Sequence, residues 1–253
     1  MTPILLGLIA HIIGDFWLQS DNIIVLKRKG QFKGYFLHWL YIFLPVFALF
    51  LFFNLKIAIF FAFSLSLLHI LVDICKTFIK NKFNLDSPLS KLYLFLIDQI
   101  IHVLLIIILY ETIFPADFAF ATQRIDLLKN SISTHKILLY IFMYSLATLP
   151  SSFLISKILN LVNSNFKNYT KTTVTKYLGI IERILIMTLF AFDIYTIIVA
   201  IIMAKTYVRY KYYSDNNFLN YFLIGTLSSS FLAIIYGITI KYSSIIVNLF
   251  RYI

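Results

Sequence analysis

Runs of about twenty apolar residues, broken by short polar segments, constrain this chain more than any other feature. An α-helix needs about 20 mostly apolar residues to cross roughly 30 Å of hydrocarbon. In lipid only helices and closed barrels satisfy their own backbone groups. The runs are continuous, not alternating, which selects helices. They predict spans at 3–19, 35–53, 57–75, 93–113, 137–155, 179–203 and 218–240. The expected fold is therefore all-α, a polytopic bundle of about seven transmembrane helices. Composition agrees: of 253 residues, 60% are hydrophobic and 13% charged, where a soluble domain carries about 25% charged residues. A soluble cytoplasmic enzyme is excluded. So is a disordered chain, which needs low hydrophobicity.

The net charge is +11. In a membrane protein this reads as basic loops facing anionic lipid. No basic-aromatic module stands out, so a nucleic-acid partner is not expected. Most of the Lys and Arg residues fall in 20–34, 76–92, 156–178 and the tail. The positive-inside rule then places the N-terminus outside and the C-terminus in the cytoplasm, with a weaker bias after residue 200. The N-terminal stretch lacks a basic n-region and a small-x-small cleavage site, and reads as a retained helix rather than a signal peptide. The lone cysteine, Cys75, allows no internal disulfide and reads as inert. Pro115 should stop the fourth helix. Three parts are expected: 1–113, a four-helix membrane half; 114–136, an extracytoplasmic connector with a short interfacial helix; and 137–253, a three-helix half with an amphipathic tail.

Ionisable groups inside membrane helices are costly and are functional-site candidates by default. The front half holds seven: His11 and Asp15 on the first helix, His38 on the second, His69 and Asp73 on the third, Asp98 and His102 on the fourth. The i, i+4 spacing puts each pair on one helix face. Alternating helix direction places all seven near the cytoplasmic side, with His11 one turn deeper. Imidazole and carboxylate in this pattern suit Zn²⁺, Fe²⁺ or Mn²⁺. Some of the carboxylates would then orient imidazoles instead of binding metal. A proton or ion pathway and a structural polar network are the other readings of the same residues.

Smaller signals accompany the cluster. Gly14 permits close helix approach. Gln19 and Gln99 flank the site as substrate-binding or supporting amides. Trp17 and Trp39 fit an aromatic belt. His135 reads as a solvated loop residue. In the back half, Glu182 and Arg183 open the sixth helix and Lys205 and Arg209 close it. Glu182 falls near the predicted depth of the front cluster. Lys205 and Arg209 at i and i+4 suit an anion such as phosphate, or are simply a snorkelling helix end. Asp193 reads as mid-helix, able to bind an ion or pair with a base. Tyr221, Gly225, Thr226 and Ser228 mark the seventh helix.

HIIGDFWLQ at 11–19, His38, HILVD at 69–73 and DQIIH at 98–102 resemble the domain of unknown function 3307 family of bacterial membrane proteins. GIIERIL at 179–185, AKTYVRY at 204–210 and YFLIGTLSS at 221–229 look like the back half of its longer members. The resemblance implies a bacterial, multi-pass protein of the cytoplasmic membrane. It marks His11, Asp15, Gln19, His38, His69, Asp73, Asp98, Gln99 and His102 as motif positions, and it carries no established activity.

The functional expectation is a membrane-embedded, metal-dependent hydrolase acting on a lipid-linked or membrane-peptide substrate. His11, His69 and His102 are first-choice ligands, with His38 available, and Asp15, Asp73 or Asp98 serve as ligand or general base. The H-E-x-x-H helix of zinc proteases is absent. The alternatives are a transporter of divalent metal or protons, and a non-catalytic scaffold or sensor.

Overall fold

A computed structural model of the chain describes residues 2–113, 131–162, 173–210 and 216–249. Every element described is a helix. Two compact units, Met1–Phe142 and Met143–Ile253, emerge from the packing.

The first unit contains α1 (Thr2–Ile12), α2 (Asp21–Arg28), α3 (Phe32–Phe50), α4 (Leu55–Lys82) and α5 (Pro88–Ile108). Local chemistry sets their limits. Asn54 caps α4 by accepting from the Ile57 amide at 2.7 Å. Asn84, at φ 49°, ends the same helix in the left-handed region that Asn tolerates. Ser87 caps α5, with Pro88 at its first position. α1 runs into a π-helical turn, Ile13–Trp17, where Leu18 N–H donates to the Ile13 carbonyl at 2.9 Å. The chain then bends by 84° into α2.

The outside of this unit is apolar and part of the inside is polar, the reverse of a soluble domain. On α4, Ile59, Phe60, Phe63, Leu67 and Leu71 are exposed, while Ser66, His69 and Asp73 are buried. α3 and α4 pack along each other. Val46, Phe50, Ala58 and Phe61 form a tight apolar core toward one end, with the Phe50 and Phe61 rings stacked at 4.4 Å. The polar residues gather toward the other end. Where lipid is as apolar as the side chains, such contacts stabilise through close packing rather than through loss of water.

The helix starting at Ser131 contributes α6 (Ser131–Ala147), which crosses the division between the units. His135 lies on it, not in a loop, and its Nε2 is 3.0 Å from Thr2 Oγ1. The second unit holds α7 (Leu149–Val162), α8 (Thr173–Ala191), α9 (Tyr195–Arg209), α10 (Asn216–Lys241) and α11 (Ser243–Leu249). α8 lies against α10, close enough that a Cβ on Gly237 would meet the Met187 carbonyl at 3.0 Å. Ile155 and Leu159 pack against Tyr221, Ile224 and Leu232.

Five helices among the described residues are long and apolar enough to cross a membrane: Phe32–Phe50, Leu55–Lys82, Pro88–Glu111, Thr134–Val162 and Asn216–Lys241. The bent pair Thr2–Trp17 and Asp21–Arg28 makes a sixth if it counts as one span. The chain is thus an all-α, multi-pass membrane protein.

The single span expected over 179–203 is instead two helices. The break falls at Asp193, whose φ of 63° cannot continue a right-handed helix. Asp193 is therefore not mid-helix. Its exposed carboxylate accepts from Tyr195 Oη and, at 2.5 Å, from Lys241 Nζ. Residues 20–34, read as a loop, contain α2. The interfacial helix expected beyond Pro115 lies outside the described residues, as do 163–172 of the polar loop expected over 163–176; its last four residues, from Thr173, already belong to α8.

Candidate metal centre

α1, α3, α4 and α5 bring all seven front-half His and Asp residues to one end of the first unit. His38, His69, Asp73, Asp98 and His102 are each at most 5% exposed, and His11 is buried too. The π-helical turn carries Asp15 inward. Such turns recur at functional sites because they offset a side chain from the regular register.

Four atoms converge most closely. His38 Nε2 lies 3.0 Å from His69 Nε2, 3.3 Å from Asp15 Oδ1 and 3.2 Å from Asp73 Oδ2. His69 Nε2 lies 3.8 and 3.9 Å from the same two oxygens. Donor atoms around a tetrahedral ion, each about 2.1 Å from the metal, stand about 3.4 Å apart. The observed spacings bracket that value. A second group, His69, Asp73 and His102, also places one ligand atom each within 4.8 Å of the others.

Neighbouring amides set the proton positions. In the orientation that satisfies all its neighbours, Gln19 accepts from His38 Nδ1 at 3.2 Å and from Lys27 Nζ at 3.0 Å, and donates to the Asp15 carbonyl at 3.1 Å. With its proton on Nδ1, His38 turns the Nε2 lone pair toward two carboxylate oxygens and another imidazole nitrogen. The Lys27 ammonium already meets Asp73 Oδ2, and either a proton on His69 Nε2 or a bound cation serves the His38 lone pair. Gln99 ties the remaining groups together. It donates to Asp15 Oδ2 at 3.3 Å and to Asp98 Oδ2 at 3.2 Å, and its Oε1 accepts from His11 Nε2 at 3.3 Å. His11 therefore spends its Nε2 proton on Gln99.

Asp98 Oδ1 and His102 Nε2 are buried 3.4 Å apart, but neither has a hydrogen-bond partner, and neither does His102 Nδ1. The His69 and His102 rings stack at 3.9 Å. Unpaired buried polar atoms are expensive, so this corner is suited to a water or a substrate polar group.

Two lysines complete the cluster. Lys27 on α2 reaches Asp73, and Lys76 donates to Asp73 Oδ1 at 2.7 Å and lies 2.9 Å from Asp98 Oδ2. Against the three carboxylates they leave the group one positive charge short when the imidazoles are neutral. Sequence reading placed both in basic loops. For Lys76 a signal was present, because it follows Asp73 by one helical turn. For Lys27 there was none, because its place depends on the bend after Trp17 and on Gly34, which lets α2 lie against α3.

The back-half candidates form a separate group within the second unit. Lys205 donates to both Glu182 oxygens at 2.8 and 2.6 Å. Arg183, unremarked as a site, is 3% exposed and donates to the Ala147 and Thr148 carbonyls and to Ser152 and Ser229. Arg209 rests over the Phe218 ring at 5.8 Å. Ser229, next to the Ser228 noted in the sequence, is a serine that meets this network.

Residues 4–128 match the family described as "Protein of unknown function (DUF3307)". The match takes in all seven His and Asp residues and both glutamines, and covers just under half of the chain. Over that stretch the resemblance to the family is shown. No curated protein and no solved structure matches the chain.

Proposed function

We propose that Asp15, His38, His69 and Asp73 hold a divalent transition metal, Zn²⁺, Fe²⁺ or Mn²⁺, and that the protein is a metal-dependent hydrolase of the bacterial cytoplasmic membrane. One observation carries the reading. Ligand-type atoms from the π-helical turn, α3 and α4 meet around His38 and His69 at the edge lengths of a small coordination sphere, and His38 Nε2 faces two carboxylate oxygens and a second imidazole nitrogen. The donor set of two imidazoles and two carboxylates fits Zn²⁺, Fe²⁺ or Mn²⁺. A metal bound there supplies Lewis acidity and lowers the pKa of water.

The chain's own residues supply the rest. Gln19 fixes the His38 tautomer. Gln99 orients Asp15 and Asp98. The unpartnered Asp98 and His102 atoms are positioned to take a proton from water and return one to a leaving group. Lys76 balances Asp73 and Asp98 and would relax as charge changes. A membrane-embedded site of this kind suits a lipid-linked or membrane-peptide substrate.

Metal content of the full chain, purified in detergent, tests the reading. About one Zn, Fe or Mn per chain is expected, falling at least tenfold in His69→Ala and Asp73→Asn, on the scale of losing a ligand or its support. Absence of metal above background, before and after incubation with Zn²⁺, refutes it. The 3.0 Å contact between His38 Nε2 and His69 Nε2 favours a second reading, since a shared proton also accounts for it. In that case the cluster is a proton pathway. Proton flux in proteoliposomes, abolished by Asp73→Asn, with no metal bound, identifies it.

A further inference from the structure

In the second unit a partly open cavity of about 270 Å³ lies between α7, α8, α9 and α10. Its size is near the lower end of small-ligand sites, about 300–1,000 Å³. Its lining is strongly unbalanced in charge. Lys176, Arg183, Lys205 and Arg209 face one carboxylate, Glu182. Lys205 is taken by Glu182, and Arg183 by two carbonyls and two hydroxyls. Lys176 and Arg209 remain. Among the described residues neither has a carboxylate partner. They rest over Phe153 and Phe218 at 5.5 and 5.8 Å.

Helix-end cations that simply reach for water need no shared cavity between them. Here two cations with no carboxylate partner among the described residues share a cavity with Arg183 and Lys205, and Leu159 and Phe222 supply apolar wall beside them. At the ends of α8 and α9, where Lys176 is exposed and Arg209 half-buried, such a surplus of positive charge attracts an anion. A guanidinium fork beside ammonium groups matches the several oxygens of a phosphate better than a single carboxylate.

We propose that this cavity binds a phosphate group, with the apolar wall beside it available to a hydrocarbon chain. The assignment is independent of the metal centre. The phosphate is either the headgroup of an anionic lipid or a free anion, and one experiment separates the two sources.

The full chain in detergent is titrated with dioctanoyl phosphatidic acid, with dioctanoylglycerol and with inorganic phosphate, and lipid adducts are counted by native mass spectrometry. Saturable binding of one phosphatidic acid is expected, at least about tenfold tighter than the phosphate-free diacylglycerol, on the scale of charge-assisted pairing. The Lys176→Gln/Arg209→Gln double variant should lose about the same factor. Neither side chain is in the buried core, and an unchanged size-exclusion profile confirms that the variant folds. Displacement of the lipid by equimolar phosphate assigns the site to a free anion, and failure to displace assigns it to a lipid headgroup. The proposal is overturned if neither phosphate ligand binds, if dioctanoylglycerol binds equally well, or if the folded double variant binds like wild type.

Discussion

Replacing Gly14 with alanine tests whether close helix approach holds the metal centre together. A Cβ at Gly14 would lie 2.6 Å from the Tyr41 carbonyl oxygen, 2.7 Å from Ile42 Cδ1 and 3.0 Å from Ile42 Cα. The Ile42 methyl can rotate away, but the carbonyl and Cα belong to the backbone of α3. Restoring ordinary contact requires the π-helical turn and α3 to part by roughly 0.8 Å. Overpacking of this kind costs about 1–3 kcal/mol. Alanine returns up to about 1 kcal/mol of helix propensity, leaving a net loss of up to about 2 kcal/mol. The same displacement moves Asp15, the next residue, away from His38, now 3.3 Å distant. Metal affinity should fall by about 10–100-fold. Gly225→Ala is the control, because its Cβ meets Leu159 at an ordinary 3.9 Å. That variant should be neutral or gain up to about 1 kcal/mol. Unfolding of the detergent-solubilised protein, followed by circular dichroism, and a Zn²⁺ titration measure both effects. Gly14→Ala as stable as Gly225→Ala, with unchanged Zn²⁺ affinity, would refute the close-approach reasoning.

Lys76→Gln removes the ammonium group between Asp73 and Asp98, and should destabilise the metal-free protein by about 3 kcal/mol while tightening Zn²⁺ binding, both read by unfolding with and without metal. Arg183→Met strips four acceptors of their donor and should cost about 3–5 kcal/mol, seen as early unfolding or proteolysis of the second unit. Chelation of the purified protein should lower its unfolding midpoint, and Zn²⁺ should restore it, because ligand binding to the folded state alone stabilises that state. Asp86, in the turn between α4 and α5, is hydrogen-bonded by Lys80 and Lys91, which hold its carboxyl below the usual range. Its contribution is therefore present above the ordinary aspartate pKa and lost as the pH falls through the lowered one, which carboxyl-carbon NMR titration of Asp86 should show.

The convergence of the seven front-half residues was legible because an ionisable side chain within an apolar run cannot face lipid. Four helices with alternating direction then leave few places for those side chains except one shared level. The pairing of His38 with His69, and the diversion of His11 to Gln99, were not legible. They depend on side-chain rotation and on which amide turns which way. Hydropathy also cannot see a backbone angle, so the break at Asp193 was hidden inside a run that stays apolar on both sides. Lys27 and Lys76 were misplaced for a related reason: a basic residue near a helix end satisfies the positive-inside pattern whether it reaches toward headgroups or turns back onto a carboxylate. His135 looked like loop because Lys136 follows it, yet the apolar face of α6 begins only a few residues later.

The sharp elbow after Trp17 gives the front cluster walls of unequal permanence. Three of its sides belong to α3, α4 and α5, each long enough to be anchored from one leaflet to the other. The fourth includes α2, eight residues long, fastened through Lys27 and its seat on α3. On that side the wall is a short helix held by one lysine and its seat on α3, while the other three are set by helices long enough to cross the bilayer.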